Sequence, residues 1–471
     1  MRSAGFRRTR RASAAAVVTA LALTALASCG TSSSSGGGND DSGSGSSDPS
    51  APLDPKAEVT LTIDCMPPAA KAAELREWKE DVKTFNKTYP NVRINGKSTP
   101  GQCLEPPRFT AMLKGKSQPD VFYAYFTDLQ QVLDNDGAED ISAYVTDTSV
   151  PALKEIQPQV LDVARKDGKL YALPTSNYTM GLMINRKLFT QAGLDPDSPP
   201  KTWQEVRTAS AKIAGLGKGI SGFGEYSAGN NGGWHFTAAQ YSLGGDVVDA
   251  SGKKAAFNDD KGKQVLQQLH DMRWEDDSMG QTQLLKWGDL QKQIATDKLG
   301  MFLAAPDDIT YMVQQLGAEY ENFGMGPIPG GEGTLFGGNN YMIKKGSSPD
   351  KIKAAVAWLN FKNLSPGKGQ FQWSRTKADK LPVGLPQPNF FLGESKTKDD
   401  AERVANATMP VANFKAFMDN PVQGKPEPPK AQEVYKILDN AMSAVLTNKD
   451  ADVDKLLDTA EQQVNQVLAN Q

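Results

Sequence analysis

Strand-patterned and helix-patterned segments alternate along this chain from residue 59 onward, and that alternation limits the possible folds more than any other feature. Val59-Thr-Leu-Thr-Ile63 is β-branched and alternating, the pattern of a strand. Residues 69–89 predict a helix with Leu75, Trp78, Val82 and Phe85 on one face, stopped by Pro90 and Asn91. Val92-Arg-Ile94 starts a second strand, residues 108–116 predict a short helix, and residues 121–125 predict a buried strand. Thr127 is placed to N-cap a helix over 128–135 that Gly137 ends. A βαβαβ order implies a parallel sheet with right-handed crossovers, so the fold class is α/β. Ligands of such sheets sit beyond the C-terminal strand ends, here at residues 64–66 and 125–128.

The alternation returns downstream. Strands are predicted at 180–185, 301–304, 323–325 and 341–345, and helices at 261–274 and 350–363. Thr202 and Glu205 form a capping box that opens another helix. Residues 430–468 predict two helices separated near Asn448, and the Pro-rich run 421–429 predicts a rigid loop.

The N-terminus has a different character. Residues 1–13 carry five arginines and no acid, and residues 14–27 are apolar, as in an export signal. The segment closes on Leu26-Ala-Ser-Cys29-Gly30, which resembles the lipobox of bacterial lipoproteins. Residues 1–28 are therefore expected to be a lipoprotein signal peptide, with Cys29 the lipidated first residue of the exported chain. The arginine pairs leave the Sec and Tat routes open. Residues 29–55, nearly all Ser, Gly, Asp, Asn and Pro, are expected to form a disordered tether, because they lack the apolar surface to order themselves.

Composition removes several functions. The chain has 471 residues, 52 basic against 55 acidic, and only two histidines. That leaves little for a His-based metal site or a Ser–His–Asp relay. Removing the five leader arginines from 52 leaves 47 basic residues against 55 acidic, a net charge of −8, which argues against nucleic acid as a partner. No cofactor and no metal are expected. Cys65 and Cys103 follow the first two predicted strands. If these strands are parallel neighbours, the cysteines share a sheet edge and can form a disulfide, the alternative being two free thiols.

Several blocks in order resemble the extracellular solute-binding proteins of ABC sugar importers. They are Phe85-Asn-Lys-Thr-Tyr-Pro-Asn-Val92, Gln118-Pro-Asp-Val-Phe122, Gly168-Lys-Leu-Tyr-Ala-Leu-Pro174 and Gly181-Leu-Met-Ile-Asn-Arg-Lys-Leu-Phe189. Ala192-Gly-Leu-Asp195, Pro200-Lys-Thr-Trp-Gln-Glu205, Gly244-Gly-Asp246 and Lys298-Leu-Gly-Met301 follow. The resemblance implies a two-lobed, periplasmic-binding-protein-like (type II) fold with a ligand cleft between the lobes. It implies chain crossings near Ser176, Glu332 and Arg375, giving an N-terminal lobe of 56–175 and 333–374 and a C-terminal lobe of 176–332 and 375–471. It further implies a non-enzymatic monomer that binds a carbohydrate and docks on the transmembrane permease subunits of an importer, held to the membrane by its lipid.

A sugar needs aromatic faces for its C–H patches, and carboxylates or amides for its hydroxyls. Candidates at strand ends and loops are Asp64, Tyr125, Phe126, Asp128, Tyr178, Trp234, Asp307, Asp308 and Tyr435. The resemblance places Tyr125, Phe126 and Asp128 in a sugar-contacting loop, Tyr178 near the hinge, and Trp234 and Tyr435 at stacking positions. Two positions depart from it. Asp307 and Asp308 follow Ala305-Pro306 where many relatives have Trp, and Ala124 stands where maltose-binding relatives have Trp. Trp287 is a candidate to compensate. Competing readings are a binding protein for iron or polyamine, and a secreted hydrolase using an Asp307–Asp308 pair.

Overall fold

The computed structural model describes residues 48–98 and 103–469. The expected leader, Cys29 and the tether as far as residue 47 lie outside the described residues. Leu53 is already buried in the first core, so ordered packing starts shortly before the expected tether boundary at residue 55.

The strands are β1 (Val59–Ile63), β2 (Val92–Gly96), β3 (Val121–Tyr125), β4 (Arg165–Lys166), β5 (Lys169–Leu170) and β6 (Ala172–Thr179), then β7 (Gly181–Asn185), β8 (Ser221–Phe223), β9 (Leu299–Ala304), β10 (Phe323–Gly326), β11 (Thr334–Ile343) and β12 (Gly424–Pro426). In the first sheet β1 lies between β2 and β3, parallel to both. Helices Ala72–Phe85 and Pro106–Lys114 supply the crossovers, so the expected βαβαβ unit is present. β11 runs antiparallel to β3, and β6 covers the other edge of β11. The second sheet has the order β10-β7-β9-β8. β4 and β5 form a separate ribbon.

Each sheet has its own core. Leu61, Phe122, Leu173, Met342 and Trp358 belong to the first. Phe223, Phe236, Leu266 and Leu438 belong to the second sheet's main cluster, and Tyr226, Phe302 and Phe323 to a neighbouring one. Burying an apolar side chain of this size contributes roughly 1.5–3 kcal/mol, so each sheet carries the apolar contacts of an independent lobe.

The chain passes between sheets twice over short distances. β6 ends at Thr179 and β7 begins at Gly181, and β10 leads back into β11. β6 runs through Pro174. Pro174 is tolerated because β6 pairs only with β11 and a bulge at Thr175 adjoins it, Ser176 pairing with Asn339 and Pro174 with Asn340. β11 starts seven residues before the expected 341, because its Gly337-Gly338-Asn339-Asn340 run reads as a turn.

Four further expectations are corrected. Arg375 is not a crossing: it pairs with Asp81 of helix Ala72–Phe85 at 2.5 Å, and Phe390 and Phe391 lie in the first core. The chain rejoins the second lobe's packing around Met409, Phe414 and Phe417. Thr127 does not cap a helix. Phe126–Asp128 forms a 3-10 turn, and the Asp128 carboxylate accepts from the Tyr125 N–H at 2.8 Å. The expected helix over 350–363 is regular only across Pro349–Leu359, and a wider turn follows at Asn360–Leu364. Finally, the Pro-rich run contains the strand β12, parallel to β11.

Cys65 and Cys103 lie beyond the parallel neighbours β1 and β2. Their Cα atoms are 5.3 Å apart, within the span that a disulfide bridges.

Candidate functional site

β3 and β12 approach one another head to head. Phe336 pairs with Thr179 of β6 on one side and Pro426 of β12 on the other, so β12 shares an edge of β11 with β3. β3 ends at Tyr125 opposite Asn339, and β12 ends at Pro426 opposite Phe336, leaving Gly337 and Gly338 uncovered between them. Both glycines are required there. A Cβ on Gly338 would lie 2.2 Å from the Ser176 carbonyl oxygen, and one on Gly337 would lie 2.4 Å from the Tyr178 hydroxyl. This bare stretch floors a cavity of about 450 Å³.

The cavity draws its walls from both lobes. Tyr123 and Tyr125 face it from β3, two residues apart on one strand face, and Ser176, Asn177 and Tyr178 line it from β6. From the second lobe come Trp234, Trp287 and Asp307, and Glu427 follows β12.

Trp234 reaches this wall because two helices nearly touch. Helix Asn231–Ser242 opens with Gly232 and Gly233, and a Cβ on Gly233 would lie 2.3 Å from the Tyr435 carbonyl oxygen of helix Ala431–Thr447. Asp439, on that second helix, accepts from the Gly233 N–H at 2.8 Å and the Asn230 N–H at 2.6 Å. A carboxylate at a helix N-terminus is favourable. The Gly-rich approach seen in the sequence is thus a docking device that sets Trp234 beside Tyr435. The Trp234 ring meets Tyr178 edge to face at 6.4 Å.

Glu427 joins the two tyrosines. It accepts from the Tyr435 hydroxyl at 2.9 Å and from the Tyr178 hydroxyl at 3.4 Å. Burial pushes its pKa up to about 7, the tyrosine hydrogen bonds only partly offsetting that. Opposite, Asp307 and Asp308 open helix Asp307–Leu316. Asp307 projects to the cleft, enclosed by its walls yet open to water, and the enclosure raises its pKa. Asp308 turns inward and accepts from Gln291 Nε2 at 2.8 Å. Burial, then the Asp307 charge, holds its pKa up. The two acids therefore meet different surroundings.

Of the residues expected in a ligand site, the cavity collects Tyr125, Tyr178, Trp234, Asp307, Asp308 and Tyr435. Three stand outside its lining. Phe126 turns under the floor, stacked on Phe336 at 5.7 Å. Asp128 lies behind Tyr125, where burial raises its pKa to about 6. Asp64 stays at the end of β1, accepting from the Cys65 N–H at 3.0 Å. Trp287 lines the cavity, 39% exposed, and packs against Tyr311 with ring centroids 4.6 Å apart. Tyr123, Asn177, Asn339 and Glu427 were not anticipated. Tyr123 was legible from its period-2 spacing to Tyr125.

A cavity of similar size, about 440 Å³, lies within the first lobe among Leu53, Tyr89, Tyr144 and Phe361. It collects none of the anticipated residues and takes no wall from the second sheet. Among the described residues, no group of three His, Cys, Asp or Glu side chains could hold a metal ion, and no helix is long and apolar enough to cross a membrane.

Two lobes around an aromatic and carboxylate cleft define a solute-binding protein. Residues 69–362 match the model of the bacterial extracellular solute-binding protein family, and this chain belongs to that family. A putative binding protein of Brucella abortus is 24% identical over 422 residues, covering 87% of this chain and 93% of its own length. Among solved structures, the chain is similar to an ABC transporter solute-binding protein of Thermotoga lettingae bound with alpha-D-tagatose, at a TM-score of 0.68 and 19% identity. That match covers 87% of this chain and 99% of the other. A cyclic alpha-maltosyl-1,6-maltose binding protein of Arthrobacter globiformis aligns at a TM-score of 0.66 and 22% identity, covering 88% and 100%. These likenesses establish the two-lobed fold.

Proposed function

We propose that this protein captures a sugar or oligosaccharide between its lobes and delivers it to the permease subunits of an ABC importer, without transforming it. The observation that carries this reading is the cavity itself. Tyr125, Tyr178, Trp234 and Trp287 offer faces for C–H surface, with Tyr435 buried behind Glu427, while Asp307, Glu427, Asn177 and Asn339 ring them with hydroxyl partners. The ligands named for the Thermotoga and Arthrobacter proteins are carbohydrates, in agreement. The protein acts as a monomer, with no cofactor.

A thermal-shift screen of mono- and oligosaccharides tests the proposal. A specific ligand at a hundredfold excess over Kd stabilises by about 2.7 kcal/mol. A panel that leaves Tm unmoved would reject a carbohydrate ligand. Closure should also lower the radius of gyration in solution scattering, provided the ligand favours the closed form.

The anchoring is part of the same proposal. Cys29 carries the lipid, and the serine- and glycine-rich segment after it lets the binding body stand off the membrane. Cys29→Ser is expected to move the protein from the membrane fraction to the medium. Retention in the membrane would contradict a lipid anchor. In the exported protein, Cys65 and Cys103 form a disulfide worth about 3–4 kcal/mol. A non-reduced digest should yield the linked peptides, whereas two freely alkylated thiols would refute the bridge.

A further inference from the structure

The cleft carries an unbalanced charge. Asp307 enters from the second lobe, with Asp308 turned inward behind it, and Glu427 from the segment after β12, and no Lys, Arg or His is among the described residues that line the cavity. Asp128 adds a fourth carboxylate directly behind Tyr125. Asp307 and Glu427 act on a common space, since the hydroxyls of Tyr125 and Tyr178 both lie in their fields. The acids' side-chain hydrogen-bond partners are neutral: Tyr178 and Tyr435 for Glu427, Gln291 for Asp308.

Several enclosed acids elsewhere in the chain meet cations. Asp81 meets Lys362 and Arg375, and Asp120 meets Lys351. The cleft acids lack such a counter-charge in the cavity lining, and the cleft is also where the aromatic rings converge. Rings and carboxylates around one cavity form the recognition set for an ammonium group, which is drawn to the ring faces as well as to the acids. An anion entering the same space meets like charge with no counter-charge.

We infer that the solute carries a protonated amine: the cavity takes an amino sugar, its ammonium held between Asp307 and Glu427, and rejects uronic and phosphorylated sugars. This rests on the carbohydrate reading above and narrows it.

Calorimetric titration of the full chain tests it with four probes. They are the β-1,4-linked glucosamine disaccharide, cellobiose with hydroxyls in place of the amines, spermidine with amines and no sugar, and a glucuronate-containing disaccharide. The amino disaccharide is expected to bind at least about tenfold tighter than cellobiose, equivalent to a free-energy difference of 1.4 kcal/mol. That preference should weaken as salt is raised and should be largely lost in Asp307→Asn. The glucuronate compound should not bind. If cellobiose or any other neutral sugar binds as tightly as its amino counterpart, or the glucuronate compound binds, this inference fails while the carbohydrate reading stands. If spermidine binds and no sugar does, both fail and a polyamine takes the site. Absence of binding by all four also overturns the amino-sugar assignment.

Discussion

Trp234→Ala is expected to weaken carbohydrate binding by about thirtyfold, a loss on the order of 2 kcal/mol. The Trp234 ring is half-buried at the cavity wall and meets Tyr178 edge to face. A sugar face laid against it removes aromatic and ligand surface from water at about 25 cal/mol per Å². The same side chain packs at the margin of both second-lobe clusters, so its removal also costs some stability. That cost should stay well below the roughly 3–5 kcal/mol of a fully enclosed Trp, because the space vacated opens into the cleft and fills with water. Affinity and Tm measured on this one variant separate the two roles. A large fall in Tm with unchanged affinity would make Trp234 a packing residue only.

Glu427→Gln should move stability and affinity in opposite directions. Burial raises the Glu427 pKa from 4.5 to about 7. Between those values the native protein keeps a proton that the unfolded chain has released, so stability falls as pH rises through this window, and the loss is complete above 7. At about pH 8 the ionised carboxylate then costs the ligand-free protein up to about 3 kcal/mol. Glutamine keeps the shape and removes the charge. The variant should therefore melt at a higher temperature than the parent at about pH 8, with a smaller difference near pH 5. Asp128, raised to about 6, retains a pH dependence of the same sign. Binding should weaken roughly tenfold to a hundredfold, because a hydrogen bond to a charged group contributes about 1.5–3 kcal/mol. Equal Tm values at pH 8 together with unchanged affinity would remove Glu427 from the site.

The contrast between Trp234 and Glu427 also shows what a linear chain reveals. Trp234 is announced locally by Gly232 and Gly233; the bare Cα of Gly233 permits the contact with Tyr435, and that of Gly232 the approach of Asp439 and Ser227. The βαβαβ unit is equally local, since each element is a run of periodic residues. Glu427 sits in a Pro-rich run with no periodic signal. Its position depends on β12 pairing with β11, a contact between segments about ninety residues apart. Arg375 fails for a related reason: its role is set by Asp81, on a helix near the other end of the chain. Phe126 and Asp128 illustrate a finer limit. Both follow the strand whose end faces the cleft, but the 3-10 turn at Phe126–Asp128 rotates them under and behind it. Strand ends are readable from sequence; the direction of the first residues beyond them is not.

The most direct test of the account is equilibrium binding to a carbohydrate panel, with the bound material recovered and weighed by mass spectrometry. Saturable binding of one ligand per chain, returned chemically intact and abolished or strongly weakened by Trp234→Ala and Glu427→Gln together, is the predicted result. Cleavage products in the recovered ligand would make this protein an enzyme, and no saturable binding by any member of the panel would contradict a sugar-capturing cleft.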